Sequence, residues 1–180
     1  MRTAAIAIIL ALAPAAPSPS LWRRWAVSTE PANGDSSRVV FTLIGSSVSR
    51  KLPILLLAFR ENTWSAMLTC GEPLRGGTAA KLLICLDGHP EMADWRMSSD
   101  LTATFAVIPE RFIVRLLDCN SLEVDFPLAN ELRHAIFDVK GLEKEIDNFP
   151  QAKKALTPNK VKPRAPTFVA LLALQRLRSK

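Results

Sequence analysis

Three polar residues, Ser98, Ser99 and Asp100, lie close in sequence to His89. Serine, histidine and aspartate form the triad of many hydrolases when the three side chains meet beside an oxyanion hole. The chain has no Gly-x-Ser-x-Gly elbow, which would expose a serine nucleophile on a strand-to-helix turn. We therefore prefer the alternative interpretation, in which His89 lies in a turn and the polar residues end a strand.

Five acidic residues are candidates for the paired carboxylates that hydrolyse glycans: Glu61, Glu72, Glu91, Asp94 and Asp100. Their spacing selects no pair, and solvated acids in loops are far commoner than catalytic pairs. Gly71–Gly77 contains adjacent glycines but neither the GxGxxG nor the Walker A spacing, so it does not indicate nucleotide binding. Arg96 beside Trp95 can offer a cation–π contact to a ligand, although it more often faces solvent.

The chain has three cysteines, Cys70, Cys85 and Cys119, and only two histidines, His89 and His134. No two cysteines form a CxxC pair, so we expect neither a metal site nor a cofactor. Cys70 ends one predicted strand and Cys85 lies in the next. Across a hairpin they would form a disulfide in an oxidising compartment, leaving Cys119 unpaired. The alternative is three buried thiols that act as small apolar side chains.

The net charge of +6 is unevenly distributed. Residues 21–150 carry 14 Lys/Arg and 17 Asp/Glu, whereas residues 151–180 carry eight Lys/Arg and no acid. The basic character therefore belongs to a tail and not to a patch on the folded domain. Such tails attach weakly to many polyanions, including anionic membrane surfaces, and we expect no specific nucleic-acid partner.

The N-terminus has the form of a secretory signal. Arg2 is followed by the apolar run Ala4–Ala13, and Ala13 and Ala15 fit the small-residue rule for cleavage after Ala15. The run is shorter than the roughly 20 residues needed to span a bilayer. We therefore predict a signal peptide over residues 1–15 and a mature protein that is periplasmic or secreted.

The strands that the sequence predicts are short and rich in β-branched and aromatic residues. Trp95 fits a half-buried β position, and it is predicted to anchor the core together with Trp25 and Phe137. Helices are predicted near residues 109–117, where apolar residues have helical spacing, and near 141–149. The predicted strands are Leu21–Thr29, Arg38–Ser46, Ile54–Phe59, Trp64–Cys70, Leu82–Leu86, two short strands around Trp95 after the turn 87–90, Thr102–Val107, Leu122–Phe126 and His134–Val139.

This order predicts a mainly β domain over residues 21–149, built as an antiparallel β-sandwich or a barrel-like sheet with the helices packed at one end. Residues 150–180 form a basic tail rich in proline and lysine, predicted to be mostly disordered. A short helix is expected over 167–178, where apolar residues precede Arg176 and Arg178. Such a helix can insert shallowly at an anionic membrane surface, and a flexible tail is the plainer interpretation.

Several loose motifs resemble those of a known family. They are the Trp-led first strand, Pro53-x-Leu55 with Arg60 and Thr63, Trp95-x-x-Ser98-x-Asp100, and Phe137-Asp138-Val139-x-Gly141-Leu142. Together with the export signal, they resemble the exported proteins associated with type VI secretion systems, the VasI/TagO family, from about Trp25 to Asn148. Members usually have a cysteine where this chain has Phe59, and a second one after the last helix.

The resemblance implies export and a link to a secretion apparatus, since the family has no settled activity. We expect a non-enzymatic accessory or interaction protein with an unknown protein partner in the cell envelope. The mechanism that we expect is recognition through a sheet edge or a loop. The alternative from a different class is an envelope hydrolase or a ligand-binding enzyme that acts in the periplasm. A deep pocket lined by acids or by His89 would favour that alternative.

Overall fold

The computed structural model describes residues 24–30, 38–48 and 51–157. They form one antiparallel sheet and three short helices, as the sequence predicted. The helices are α1 (Pro109–Leu117), α2 (Leu142–Asp147) and α3 (Pro150–Leu156). The strands are β1 (Ala26–Glu30), β2 (Arg38–Ile44), β3 (Ser46–Ser47), β4 (Ile54–Arg60), β5 (Thr63–Thr69), β6 (Ala79–Leu86), β7 (His89–Met97), β8 (Ala103–Ala106), β9 (Ser121–Pro127) and β10 (Leu132–Asp138).

The strands alternate in burial, as expected when one face of a sheet covers a core. In β6, for example, Leu82 and Ile84 are buried whereas Lys81 is exposed. Two hairpins have two-residue turns, Glu61–Asn62 and Asp87–Gly88, and all four residues have positive φ. Such turns match the twist of the strands that they join, so they fix the β4–β5 and β6–β7 pairings.

The two ends of the sheet meet at Gly45. The strand order is β1-β2-β4-β5-β8-β7-β6-β9-β10-β3, and β3 follows β2 in the chain after this single glycine. The strand that pairs with β4 therefore continues directly into the strand that pairs with β10. A Cβ atom on Gly45 would lie 2.8 Å from the Ile136 carbonyl oxygen and the Phe137 ring. The sheet becomes barrel-like where only glycine allows this approach.

The helices pack on the inward face of the sheet and complete one hydrophobic core. The Trp64 Nε1–H donates to the Ala152 carbonyl in α3 at 3.1 Å, and the Trp95 ring meets Phe112 of α1 edge-on at 5.0 Å. The three predicted anchors are all buried, with Trp95 2% exposed, Phe137 fully buried and Trp25 9% exposed. Aromatic side chains thus connect both tryptophan-bearing strands to the helices.

The region after Gly88 differs from the prediction. The turn contains only Asp87 and Gly88, and His89–Met97 form the single strand β7 instead of a longer turn and two short strands. Pro90, which suggested a turn, pairs with Cys85 inside this strand. Its position in the ladder directs the backbone away from β6, so the missing N–H costs no hydrogen bond there.

The predicted start of the disordered tail, at residue 150, was also wrong. Residues 150–156 form α3, with Pro150 at its first turn, and Ala152 and Leu156 are buried. Lys153, which contributes to the tail-like composition, pairs with Asp147 at 2.6 Å. The folded domain therefore extends through Leu156. The predicted signal over 1–15 and helix over 167–178 lie outside the described residues. No helix within the described ranges is long and apolar enough to cross a membrane.

Candidate functional site

The structure does not assemble a Ser-His-Asp triad. His89 begins β7, whereas Ser98 and Asp100 follow the other end of this nine-residue strand. At about 3.3 Å per residue, the two ends are roughly 26 Å apart. The Ser98 hydroxyl donates to Asp100 at 2.5 Å, and the Thr102 amide donates to the same carboxylate oxygen at 3.1 Å. These hydrogen bonds lower the pKa of Asp100 and stabilise a turn.

The candidate carboxylates are also dispersed. Glu72 pairs with Arg133 at 2.7 Å, and Glu91 pairs with Arg115. Glu91 and Asp94 are both in β7, but an odd spacing places them on opposite faces of the sheet. Glu91 and Asp94 therefore do not flank a common position for a scissile bond. Glu61 lies in the β4–β5 turn.

The other predicted ligand positions also have structural explanations. The loop containing Gly71–Gly77 packs across the sheet, because Leu74 N–H donates to Leu101 at 2.7 Å and Arg75 N–H donates to Pro127 at 2.6 Å. Arg96 points away from the buried Trp95 ring because neighbouring strand residues face opposite sides.

The three thiols are free, and the structure does not bring Cys70 and Cys85 together. Cys70 follows β5, and β8 and β7 lie between β5 and β6. Three strand spacings amount to about 14 Å, which exceeds the roughly 7 Å limit between Cα atoms for a disulfide. Desolvation raises the pKa of Cys70 and of Cys119. Among the described residues, no cluster of His, Cys, Asp and Glu side chains can hold a metal ion.

An open strand edge appears where β8 ends. β8 pairs with β7 only at Trp95, Arg96 and Met97, and the chain then leaves the sheet to begin α1 at Pro109. Among the residues that the structure describes, no strand therefore pairs with residues 89–94 of β7 on the side opposite β6. The space between this edge and α1 is a cavity of about 300 Å³. We call it the β7–α1 groove; its lining includes Glu91, Met92, Ala93, Asp94, Trp95, Val107, Ile108, Arg111, Phe112 and Arg115.

The ladder identifies the backbone groups that face the groove. Met97 N–H donates to Thr78 on the β6 side at 3.0 Å, whereas Ser98 N–H donates to Ala103 on the β8 side at 2.9 Å. Because backbone direction alternates along an antiparallel strand, Asp94 and Met92 direct their N–H and C=O groups away from β6. Pro90 has the same orientation and no N–H to expose, a common arrangement on a free edge. Two residues with complete hydrogen-bonding groups thus border the groove.

The side chains of the groove are partly apolar and partly charged. Met92 is 61% exposed, Ile108 56% and Val107 44%, whereas Trp95 and Phe112 form a buried aromatic floor. The Arg115–Glu91 ion pair joins the helix to the strand across the groove. A volume of about 300 Å³ is at the lower limit for small-molecule pockets, and it suits a few side chains better than a cofactor.

A second cavity of about 500 Å³ lies on the other side of the crossing at Val107–Pro109. It is lined by the first half of β5 and by Arg96, Phe105 and Glu110. Here α1 packs against β5, so a helix already occupies the neighbourhood of that strand edge. The helix therefore lies closer to the β5 edge than to the β7 edge.

The β7–α1 groove was not predicted from the sequence. The available signals were Pro90 within an alternating segment and two apolar residues, Val107 and Ile108, directly before the helix. Neither signal shows which strand has an unpaired edge. Comparisons with protein-family models, with curated proteins and with solved structures found no match.

Proposed function

We propose that this protein is a non-enzymatic binding protein that takes an extended segment of a partner protein into the β7–α1 groove. The observation that carries the proposal is the edge of β7 at Met92 and Asp94. Their backbone groups point away from β6, no strand of the described part of the chain pairs with them, and exposed apolar side chains lie beside them. Strand addition uses main-chain hydrogen bonds for affinity and pockets for alternate side chains for specificity. The groove offers both.

The bound segment would continue the line of β8 along β7. Two hydrogen-bonded pairs, at Asp94 and Met92, would provide about four backbone hydrogen bonds. Every second side chain of the segment would point inward, between Ala93 of the strand and α1, and the others would face solvent. The helix already packs on the core through Phe112 and Ile113, so the groove has rigid walls before binding.

The backbone of Met92 permits a direct test. Octapeptides selected from a random phage-displayed library on the wild-type protein would be measured by fluorescence anisotropy against Met92→Pro and Met92→Ala. Proline removes the N–H that faces the groove but leaves the β6 ladder intact, so we expect at least about tenfold weaker binding. Alanine keeps the N–H and should bind within a few-fold of wild type. Equal affinities for the proline and alanine variants, or no enriched peptide, would contradict strand addition.

We further propose that the protein acts in the cell envelope after export, as an accessory protein that is associated with type VI secretion. The support is in the sequence: the signal-like residues 1–15 and the loose motifs between Trp25 and Asn148. Mass spectrometry of the native protein should find a mature N-terminus near Ala16. An intact Met1 in a cytosolic fraction would contradict export.

The basic tail is proposed to add a weak contact with anionic membrane surfaces. Its support is the six Lys/Arg of residues 158–180, which follow the folded domain and include no acid. The full-length protein should sediment with anionic vesicles at low salt and less at high salt, because surface charges are screened over about 10 Å at 0.1 M. Protein that stays in the supernatant at low salt would contradict this contact.

A further inference from the structure

The strongest unexplained group in the β7–α1 groove is the guanidinium of Arg111. It is exposed and lines the groove, and it has no ion-pair partner among the residues that the structure describes. Arg111 is the third residue of α1. A cation near a helix N-terminus opposes the helix dipole, so this position does not help the helix to form.

A second positive charge on the same helix face adds to the uncompensated charge of Arg111. Arg115 lies one turn after Arg111, at the spacing where like charges repel. Glu91 compensates Arg115 through the ion pair across the groove, and Arg111 is left without a comparable partner. Arg111 is thus unfavourable for α1 on two grounds, and it lines a cavity that is open to solvent. These are the properties of a group that is held for a ligand.

We infer that the segment bound by the groove is acidic and apolar, with one inward carboxylate that pairs with Arg111 and inward apolar side chains on either side. This inference rests on the proposed strand addition. Arg–carboxylate pairs are frequently bidentate, which suits recognition of a single side chain. The neighbouring Glu91 and Asp94 would repel a polyanion, and the exposed Val107 and Ile108 favour aliphatic neighbours of the carboxylate.

The chain's own tail does not have this chemistry. Residues 158–180 include six Lys/Arg and no acid, so they offer Arg111 no carboxylate side chain. Charge complementarity therefore favours a segment of another protein.

Two octapeptides and two arginine variants test the inference. In the first peptide, threonine alternates with valine and a central valine is replaced by glutamate; the second has glutamine there. We expect the glutamate peptide to bind wild type about tenfold more tightly, as a charge-assisted pair typically provides. Arg111→Gln should remove this preference. Arg75→Gln should retain it, because Arg75 is exposed in the loop on a different part of the surface and changes the net charge equally.

Each other outcome overturns the inference in a distinguishable way. If the two peptides bind wild type equally and neither binds Met92→Pro, the acidic preference is refuted but strand addition is supported. A preference that persists in Arg111→Gln places the carboxylate elsewhere. If neither peptide binds, strand addition fails as well. Displacement by a synthetic peptide of residues 167–178 identifies the tail as the occupant, and a dimer that the glutamate peptide dissociates identifies a second copy.

Discussion

The substitution Gly45→Ala tests whether the sheet depends on the close approach at the junction of β2 and β3. The new Cβ atom would lie 2.8 Å from the Ile136 carbonyl oxygen and 2.8 Å from two carbons of the Phe137 ring. Ordinary contacts begin near 3.4 Å, so both neighbours must move by about 0.6 Å. The first is backbone within a strand ladder and the second is a fully buried ring. Overpacking of this kind typically costs about 1–3 kcal/mol.

Equilibrium urea unfolding measures this cost. A loss of about 2 kcal/mol, at a typical urea slope of about 2 kcal/mol/M, lowers the midpoint by about 1 M. Gly77→Ala is the matched control, because a Cβ atom there meets nothing within 4 Å and its φ is not positive. The double variant Gly45→Ala/Phe137→Leu should show a favourable coupling energy, since the smaller side chain vacates the contested space. Equal midpoints for the two glycine variants would refute the reasoning.

Three further outcomes are expected. Trp95→Ala should cost about 3–5 kcal/mol of unfolding free energy, whereas Arg96→Ala should change it by less than about 0.5, as measured by thermal or urea unfolding. Asp87→Asn should unfold at lower urea than wild type at neutral pH. The Asp87 carboxylate accepts the Asn120 and Ser121 amides, which lower its pKa, so its contribution is present above the unfolded value of 3.8 and lost as the pH falls through the lower folded value. The two midpoints should therefore converge in acid, and a difference that persists there would contradict this account. Alkylation of denatured, unreduced protein should label all three cysteines, and protection of any pair would contradict the free thiols.

The sequence predicted those elements whose local pattern and packing agree. The α1 bounds are confirmed because Pro109 sets its start and its apolar residues recur at helical spacing. The predicted strands Ile54–Phe59 and Trp64–Cys70 lie within one residue of β4 and β5, and the turn between them contains only Glu61 and Asn62. The composition of α3 misled the prediction because lysines dominate its exposed face, while burial of Ala152 and Leu156 depends on distant strands.

The groove was beyond the reach of local patterns. Its existence depends on where β8 leaves the sheet, and this follows from the pairing of strands that are distant in sequence. The predicted disulfide was wrong for a similar reason. Cys70 and Cys85 are near in sequence, but β8 and β7 lie between their strands in the sheet. Pro90 was assigned to a turn because a proline fits within a strand mainly where its backbone faces an unpaired edge, and the sequence does not show where that edge lies.

The contacts that join the two ends of the domain also constrain how the chain can fold. Trp25 donates to the Val139 carbonyl at 3.3 Å across 114 residues, and the Ser46 hydroxyl reaches the Ile136 carbonyl across 90. Chains dominated by such non-local contacts fold in milliseconds to seconds, because loop-closure entropy is lost before the contacts form. The early strands β1 to β5 cannot complete their inward packing until the last helices have been synthesised. A nascent chain therefore stays without its native core for most of its synthesis, and a premature stop before Val139 would leave the first strands without their partners.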